Sequence, residues 1–291
     1  MAELYGFDAF SPRQIAERVE GVGVAKARLP LLQTAMLGVL AGGFIGLGAM
    51  VYALVTSDPT LGFAASRLAG GVGFSLGLML VIVAGAELFT GNNLLAMAWA
   101  CGRITTLDVL RNWSVVCAAN FAGAAGLAGL VYLSGHWQLN DDAVGMTVVK
   151  IAAGKAVLPA WRAFFLGVLC NVLVCMAVWM AMAGRSVIDR LAAVVFPISA
   201  FVAAGFEHSI ANMYYFPLAL LLKHGGAPLP PGAEAVTAGA MFANLGPVIA
   251  GNIVGGSVLV ALVYWVIYLR PERRKDSTSS QSRGESTSAK S

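Results

Sequence analysis

Six long apolar runs dominate this chain, and its polar residues are concentrated between them. A helix needs about 20 mainly apolar residues to cross the hydrocarbon core of a bilayer. By this criterion the pattern predicts an all-helical membrane protein with six spans, at residues 31–55, 68–86, 109–133, 164–182, 191–204 continuing into 210–222, and 244–269. An even number of spans places both termini on the same side of the membrane.

The lysines and arginines between the apolar runs predict the orientation of the spans. Of the 19, fourteen fall in the N-terminal arm, the second and fourth loops and the C-terminal tail, and five fall on the opposite side. Cytoplasmic segments are enriched in these residues. We therefore expect both termini to be cytoplasmic.

The chain divides into three predicted parts. Residues 1–28 contain Ser11-Pro12-Arg13-Gln14, a capping box with proline at the first helical position, which predicts a cytoplasmic amphipathic helix. This helix has two open interpretations, a membrane-surface anchor and a moving gate. Residues 29–269 form the predicted transmembrane domain. Residues 270–291 are rich in Ser, Thr, Lys and Arg and are expected to be disordered.

One motif occurs twice at membrane depth. The pattern Gly-x-Glu-x(4)-Asn is found at residues 85–92 and again at residues 205–212. A charged side chain inside the bilayer is a functional candidate by default. Because each half of the chain has three spans, the second half is inserted upside down relative to the first. The architecture predicted is an inverted repeat in which the second and fifth helices are interrupted.

The two interruptions predict an anion pathway. Each second half-helix would begin at the break, and the amides of a helix N-terminus favour negative charge. Glu87 and Glu207 are expected to accept hydrogen bonds from these free amides rather than to contact solute. Asn92 and Asn212 are expected to brace the breaks, and Asn120, Asn171 and Asn252 are expected to link helices rather than to contact solute.

His208 is the one histidine predicted to lie beside a break at membrane depth, and a hydrogen-bonded structural histidine is its alternative interpretation. The four cysteines form no CxxC pair and no cluster with histidines, which argues against a disulfide framework, a metal site or another cofactor. A net charge of +4 without a basic stripe gives no support for nucleic-acid binding.

Three sequence strings carry a resemblance to a known family. They are Glu87-Leu-Phe-Thr-Gly91, residues 171–180 (NVLVCMAVWM) and residues 205–213 (GFEHSIANM). The chain resembles the formate/nitrite transporter family, specifically its bacterial formate channel branch. The resemblance implies an aquaporin-like fold, a homopentamer in the bacterial inner membrane, and passage of small monovalent anions such as formate, nitrite, acetate or lactate. It implies a transporter and no enzyme.

The resemblance also assigns residues by position. Thr90 and His208 match the central pore pair of the family. Its narrow apolar constrictions are matched by Leu78, Leu88, Phe89, Phe74 and Phe201, and its polar residues near the pore by Lys155, Glu207, Asn171 and Asn212. In that family the N-terminal segment is a proposed pH-dependent gate. Gly91 also suits nitrite-type members, so a nitrite-selective protein stays an alternative.

The mechanism implied is proton transfer from a protonated His208 to the anion, which then crosses as a neutral acid. In water this transfer costs roughly 3.4 kcal/mol, from pKa values near 4 and 6.5, and confinement in an apolar site offsets it because both charges of the ion pair are disfavoured there. A passive anion channel is the alternative mechanism. A neutral-solute channel is a more remote one, because the breaks lack paired Asn-Pro-Ala. An anchor subunit of an enzyme is also remote, since no cofactor motif accompanies the histidine.

Overall fold

The computed structural model describes residues 9–270, and every regular element of three or more residues in that range is helical. The main helices are α1 (Pro12–Ala27), α2 (Leu31–Thr56), α3 (Phe63–Gly85), α4 (Phe89–Asn92), α5 (Leu95–Ala100), α6 (Thr106–Leu133), α7 (Ala143–Ala156), α8 (Ala160–Ala181), α9 (Val187–Ala204), α10 (Ser209–His224) and α11 (Ala238–Leu269). Six of them, α2, α3, α6, α8, α9 and α11, are long and apolar enough to span a membrane. The predicted all-helical, six-span fold class is confirmed.

Five of the six spans begin earlier than the apolar pattern predicted, and at α6 and α9 the reason is a polar first turn. Thr105 caps α6 by accepting a bond from the Asp108 amide, while Asp108 bonds back to the amide of Thr105. Ser186 and Asp189 form the same capping box at the start of α9. Such boxes satisfy amides that have no partner within the helix. The polar caps therefore extend helices beyond the hydrophobic run.

Two short non-helical stretches interrupt the membrane domain, at residues 86–88 and 206–208. Each follows a glycine in the left-handed region, Gly85 with φ +84° and Gly205 with φ +77°, a conformation that side chains disfavour. After each glycine the chain bonds to a neighbouring span, with the Glu87 amide on the Leu37 carbonyl at 3.2 Å and the Glu207 amide on the Leu166 carbonyl at 3.3 Å. The two breaks thus share one backbone arrangement.

Close helix contacts hold each repeat together. A Cβ added to Gly42 of α2 would overlap the Asn120 carbonyl of α6, and one added to Gly251 of α11 would overlap the Phe164 carbonyl of α8. Glycine at such positions lets backbones approach directly. Helix faces that look away from the core expose large apolar side chains, as a lipid-facing surface requires, for example Phe63, Leu133 and Phe196.

Helix α1 packs beneath the membrane domain through Ile15, Ala16 and Val19, which are buried. Its attachment continues before the helix, where the Phe10 amide donates to the Ala183 carbonyl at 3.0 Å. The Phe10 ring lies between two guanidinium groups, with Arg18 at 4.0 Å and Arg185 at 4.2 Å from the ring centroid. We call these three residues the arginine clamp. Residues 1–8 and the predicted disordered tail, apart from Arg270, lie outside the described residues.

Candidate functional site

Glu207 is the buried centre of a polar cluster at the second break. Its Oε1 lies 2.7 Å from the Lys155 ammonium of α7, and its Oε2 accepts from the Asn212 amide at 2.7 Å. Asn212 also donates to Asn244 Oδ1 at 2.7 Å. Burying a charge is costly unless it is paired and hydrogen-bonded, and here both conditions are met. The structure therefore brings together the predicted residues Lys155, Glu207 and Asn212.

An equivalent cluster surrounds Glu87 at the first break. Glu87 Oε1 lies 2.8 Å from the Lys26 ammonium, and Oε2 accepts from the Asn92 amide at 2.6 Å. Asn92 also donates to Asn112 Oδ1 at 2.9 Å. Lys26 belongs to α1, so the N-terminal helix supplies the cation for the first repeat as α7 does for the second. The lysine, glutamate and two asparagines are thus duplicated.

The backbone amides at the breaks are satisfied by asparagines, which corrects the expectation that Glu87 and Glu207 accept from them. The Phe89 amide donates to Asn120 Oδ1 at 2.9 Å, and the Ser209 amide donates to Asn252 Oδ1 at 3.1 Å. Each of these asparagines also donates to the carbonyl of the preceding glutamate, at 2.9 and 3.1 Å. Glu87 and Glu207 instead accept from lysine and asparagine side chains, at distances of 2.6–2.8 Å. The predicted linking role of Asn120 and Asn252 agrees with these bonds.

Thr90 and His208 meet at the centre of the molecule. Thr90 Oγ1 lies 3.1 Å from His208 Nε2, and both residues are buried. The other ring nitrogen, Nδ1, caps α10 by accepting from the Ala211 amide at 3.2 Å. A nitrogen that accepts a hydrogen bond carries no proton, so in the neutral ring the proton is on Nε2. His208 therefore donates to the Thr90 hydroxyl, whose own hydrogen is left available.

Apolar side chains enclose this pair. The Phe201 ring stacks on the His208 ring at a centroid distance of 5.8 Å, and Phe74 approaches it edge-on at 6.5 Å. Leu78 and Leu88 are buried and line the neighbouring cavity. Four of the five predicted constriction residues therefore lie at the Thr90–His208 pair or at the approach to it. Phe89, the fifth, is buried but is not among the residues lining that cavity.

A cavity of about 560 Å³ leads from the surface beside α1 to the first break. Its walls combine apolar residues with cations, including Arg18 and Lys26 of α1 and Arg190 of α9, and Glu87 and Asn92 lie at its inner end. A concave site with a few convergent polar groups is the usual form of a small-solute site. The excess of cations suits an anion.

Asn171 of α8 bonds to the helix that carries Thr90. Its amide nitrogen lies 3.2 Å from the Thr90 carbonyl, 2.7 Å from Asn93 Oδ1 and 2.7 Å from the Asn252 carbonyl. No described polar contact places it directly on His208. The predicted site residue Asn171 therefore contacts the backbone of Thr90 and links three helices.

Sequence reasoning missed three residues of the duplicated clusters, Lys26, Asn112 and Asn244. A spacing signal was present for each of them. Lys26 precedes Gly38 by the same interval that separates Lys155 from Gly167 in the second repeat, and both asparagines lie eight residues before the linking asparagine of their repeat. The interval from lysine to glycine runs from a helix outside the spans into a span. A search of the apolar runs alone therefore does not find the lysine.

Metal clusters and disulfides are not found in the part of the chain that the structure describes. Residues 9–270 contain no group of three or more His, Cys, Asp or Glu side chains arranged to hold a metal ion. The four cysteines, all within this range, are free thiols.

This combination of six spans, two breaks and a buried polar pathway defines a multi-pass membrane protein of the aquaporin-like class. Within that class the family is shown by comparison of sequences. The chain belongs to the formate/nitrite transporter family, whose model, described as "Formate/nitrite transporter", matches residues 13–266. Formate channel FocA of Escherichia coli (strain K12) is 39% identical to it over 274 residues, which cover 91% of this chain and 96% of FocA.

Solved structures of similar proteins agree with this membership. A pentameric formate channel with formate bound is 35% identical, with a TM-score of 0.75, and the match covers 82% of this chain and 98% of that one. An ion channel of the FNT family is 30% identical, with a TM-score of 0.79, and the match covers 87% of this chain and 98% of that one. The resemblance stated from the sequence is confirmed.

Proposed function

We propose that this protein transports formate and related small monovalent anions across the bacterial inner membrane. The observation that carries the proposal is the buried Thr90–His208 contact, enclosed by Phe74 and Phe201. It is supported by the names of the relatives, a formate channel and a formate-bound channel structure. The same site would let the solute pass without changing it chemically. We therefore propose that the protein is not an enzyme.

Each duplicated cluster would serve as an entry site for an anion. Lys26 and Lys155 each contact a buried glutamate, Lys26 also donates to Asn92 Oδ1 at 2.9 Å, and the two lysine side chains are 26% and 15% exposed. An ammonium carries three hydrogens, so a lysine held by its glutamate still has capacity for a passing carboxylate. The paired glutamate limits how tightly the anion is held, which favours release.

We propose that formate crosses the centre as the neutral acid, together with one proton. The side chains around His208 are aromatic and aliphatic, and an unpaired carboxylate in such surroundings carries a desolvation penalty of many kcal/mol. A neutral acid avoids this penalty. The Thr90 hydroxyl, held by His208 Nε2, would donate its hydrogen to the carbonyl oxygen of the solute.

The resting state of His208 differs from the hypothesis based on sequence. A protonated resting imidazole would place a hydrogen on Nδ1, and the bond from the Ala211 amide would be lost. Loss of a helix cap costs about 1 kcal/mol. We therefore propose a neutral resting His208, which takes on charge only when an anion arrives to compensate for the lost cap.

The proposed topology and assembly follow from charge distribution and from the relatives. Fourteen of 19 lysines and arginines fall on the side of the termini, which favours cytoplasmic termini. A homopentamer of 30.2 kDa chains is proposed from the pentameric formate channel. Reporter fusions at the C-terminus test the topology, and light scattering of the purified protein tests the assembly.

Proteoliposomes containing the purified protein test the transport proposal. We expect formate uptake above that of empty liposomes, with one proton taken up for each formate and no dependence on an imposed membrane potential. A formate current driven by potential, without a change of external pH, would instead establish a passive anion channel. Competition by nitrite, acetate and lactate ranks the solutes, and uptake of glycerol in place of formate would contradict the proposal.

The variant His208→Asn tests the central residue. Asparagine is a good helix cap and offers an acceptor to the Ala211 amide, but it is too short to reach Thr90 as well. We expect a folded protein whose formate uptake is at least tenfold lower. Uptake equal to that of the unmodified protein would remove His208 from the mechanism. His208→Phe, which loses the cap too, serves as the comparison for stability.

A further inference from the structure

Thr90 is held by a hydrogen-bond network that joins the two repeats and is not itself duplicated. Asn93, the residue after α4 and its C-cap, accepts at Oδ1 from the Asn171 amide. Its backbone carbonyl accepts from the Ser257 hydroxyl of α11 at 3.1 Å. If Asn120 is aligned with Asn252, alanine lies at the position of Ser257 in the first repeat. The network is therefore an addition to the duplicated frame.

The Asn171 amide has more acceptors than hydrogens. An amide group has two hydrogens, whereas the Asn171 nitrogen lies within 3.2 Å of three oxygens, those of Thr90, Asn93 and Asn252. The Thr90 carbonyl is the farthest of the three. The bond to Thr90 is consequently in competition with the bond to Asn93, and the position of Asn93 determines how strongly Asn171 holds Thr90.

A local change of helix type makes room for this network. Residues Val254–Leu262 of α11 are π-helical, a wider winding that is frequent at functional sites. Gly256 faces the network, because a Cβ there would lie 2.5 Å from Asn171 Nδ2 and 2.8 Å from Asn93 Cβ. The π-helical turn therefore places Ser257 on Asn93 while leaving space for the Asn171 amide. Within residues 9–270, the Ser257 hydroxyl bonds to the Asn93 carbonyl and makes no hydrogen bond to Thr90 or His208.

We propose that Ser257 and Asn93 are positioning residues that set the place of Thr90 against His208, and through it the choice among small carboxylates. The proposal rests on the proposed function. Ser257 fixes the backbone of Asn93, and the Asn171 amide divides its two hydrogens among Asn93, Asn252 and Thr90. A shift of Thr90 would change the distance from its hydroxyl to a bound carboxylate. The size of this change would differ between formate and a larger carboxylate such as acetate.

The test compares formate and acetate uptake by Ser257→Ala in proteoliposomes, normalised to the amount of pentamer. We expect a two- to tenfold change in the formate-to-acetate ratio, the range that one buried hydrogen bond carries, expressed in the maximal rate more than in KM. Ser257→Thr keeps the hydroxyl and should restore the ratio. Ser199→Ala is the matched control, because the buried Ser199 hydroxyl has no partner among the described residues.

A second variant keeps the proposal testable if Ser257→Ala does not fold. Asn93→Leu retains the carbonyl that Ser257 binds but lacks Oδ1, so Asn171 is free to bond fully to Thr90. We expect a changed ratio here too, and a double variant whose change is no larger than the larger single one. Unchanged ratios in both single variants, or effects that multiply in the double variant, would overturn the positioning role.

The outcomes separate this inference from the proposed function. Normal formate uptake by the unmodified protein with unaltered selectivity in the Ser257 and Asn93 variants would refute the positioning role alone. Absence of formate uptake by the unmodified protein would refute both. A loss of folded protein without a change in ratio would assign Ser257 to stability and contradict the proposal.

Discussion

Removing Lys155 should be among the most destabilising single changes in the polar framework. Its ammonium lies 2.7 Å from the Glu207 carboxylate, and their side chains are 15% and 6% exposed. At this distance the attraction is about 6 kcal/mol for an effective dielectric constant near 20. Lys155→Met leaves the carboxylate buried with Asn212 as its remaining donor, and breaking a buried pair in this way costs about 3–5 kcal/mol.

Thermal unfolding of the purified protein in detergent measures this cost. The double variant Lys155→Met/Glu207→Gln removes the uncompensated charge, and its glutamine still accepts from Asn212, so it should recover to within about 1 kcal/mol of the unmodified protein. Lys26→Met should cost less than Lys155→Met, because Lys26 is more exposed than Lys155, at 26%. Glu87 is itself only 5% exposed but lines the cavity beside α1, so water can reach the charge that remains on it once Lys26 is shortened.

Lys150→Met is the matched control, since Lys150 lies on the same helix α7, is exposed and has no ion pair among residues 9–270. Lys150→Met should unfold at the same temperature as the unmodified protein. The reasoning is refuted if Lys155→Met unfolds no earlier than Lys150→Met. It is also refuted if the double variant is less stable than Lys155→Met alone, because the buried charge would then not be the cause of the loss.

Three further predictions follow from contacts outside the pore. Phe10→Leu removes both cation–π contacts of the arginine clamp, each worth roughly 0.5–1 kcal/mol. Hydrogen exchange of α1 should therefore become about 5- to 30-fold faster. Unchanged exchange would show that the clamp does not hold α1. Gly251→Ala should destabilise by more than about 2 kcal/mol because its methyl group overlaps a backbone carbonyl, whereas Gly43→Ala, with open space around it, should be neutral or stabilising; equal unfolding temperatures would contradict this. Ser186→Ala should lower stability by about 1 kcal/mol through loss of the α9 cap, and Ser186→Thr should retain it.

The six spans were predictable because burial in a bilayer imposes one length and one composition on every spanning helix. The starts of α6 and α9 were placed too late, since Thr105 and Ser186 cap polar turns that hydropathy counts as loop. The repeated motif identified both glutamates as candidate site residues. It predicted that they accept hydrogen bonds from backbone amides, whereas their partners are lysine and asparagine side chains. The partner of Glu87, Lys26, lies in a helix outside the membrane runs, so hydropathy does not point to it and the repeated interval between lysine and glycine is its sequence signal.

The contact between Asn93 and Ser257 was beyond sequence reasoning for a different physical reason. The two residues are 164 positions apart, and neither recurs in the other repeat, where Met213 corresponds to Asn93 and Ala125 to Ser257, so no internal comparison exposes them. Their meeting depends on the π-helical winding of α11. Helix type within a span is decided by packing between neighbours, and local propensity does not encode it.

Comparison of the two repeats separates framework from function. Lysine, glutamate and two asparagines recur in both, with donor–acceptor distances of 2.6–2.9 Å in each cluster. The residues directly after the glutamates do not recur, since Leu88 in the first repeat corresponds to His208 in the second. An inverted repeat sends these unmatched residues to the same central region from opposite directions. In the proposed mechanism, a symmetric frame would therefore offer an anion the same approach from either side, while a single imidazole and a single hydroxyl would act on it at the middle. Duplicating the histidine would place two titratable rings in one apolar chamber, where like charges repel most strongly, and this is a physical reason for the asymmetry.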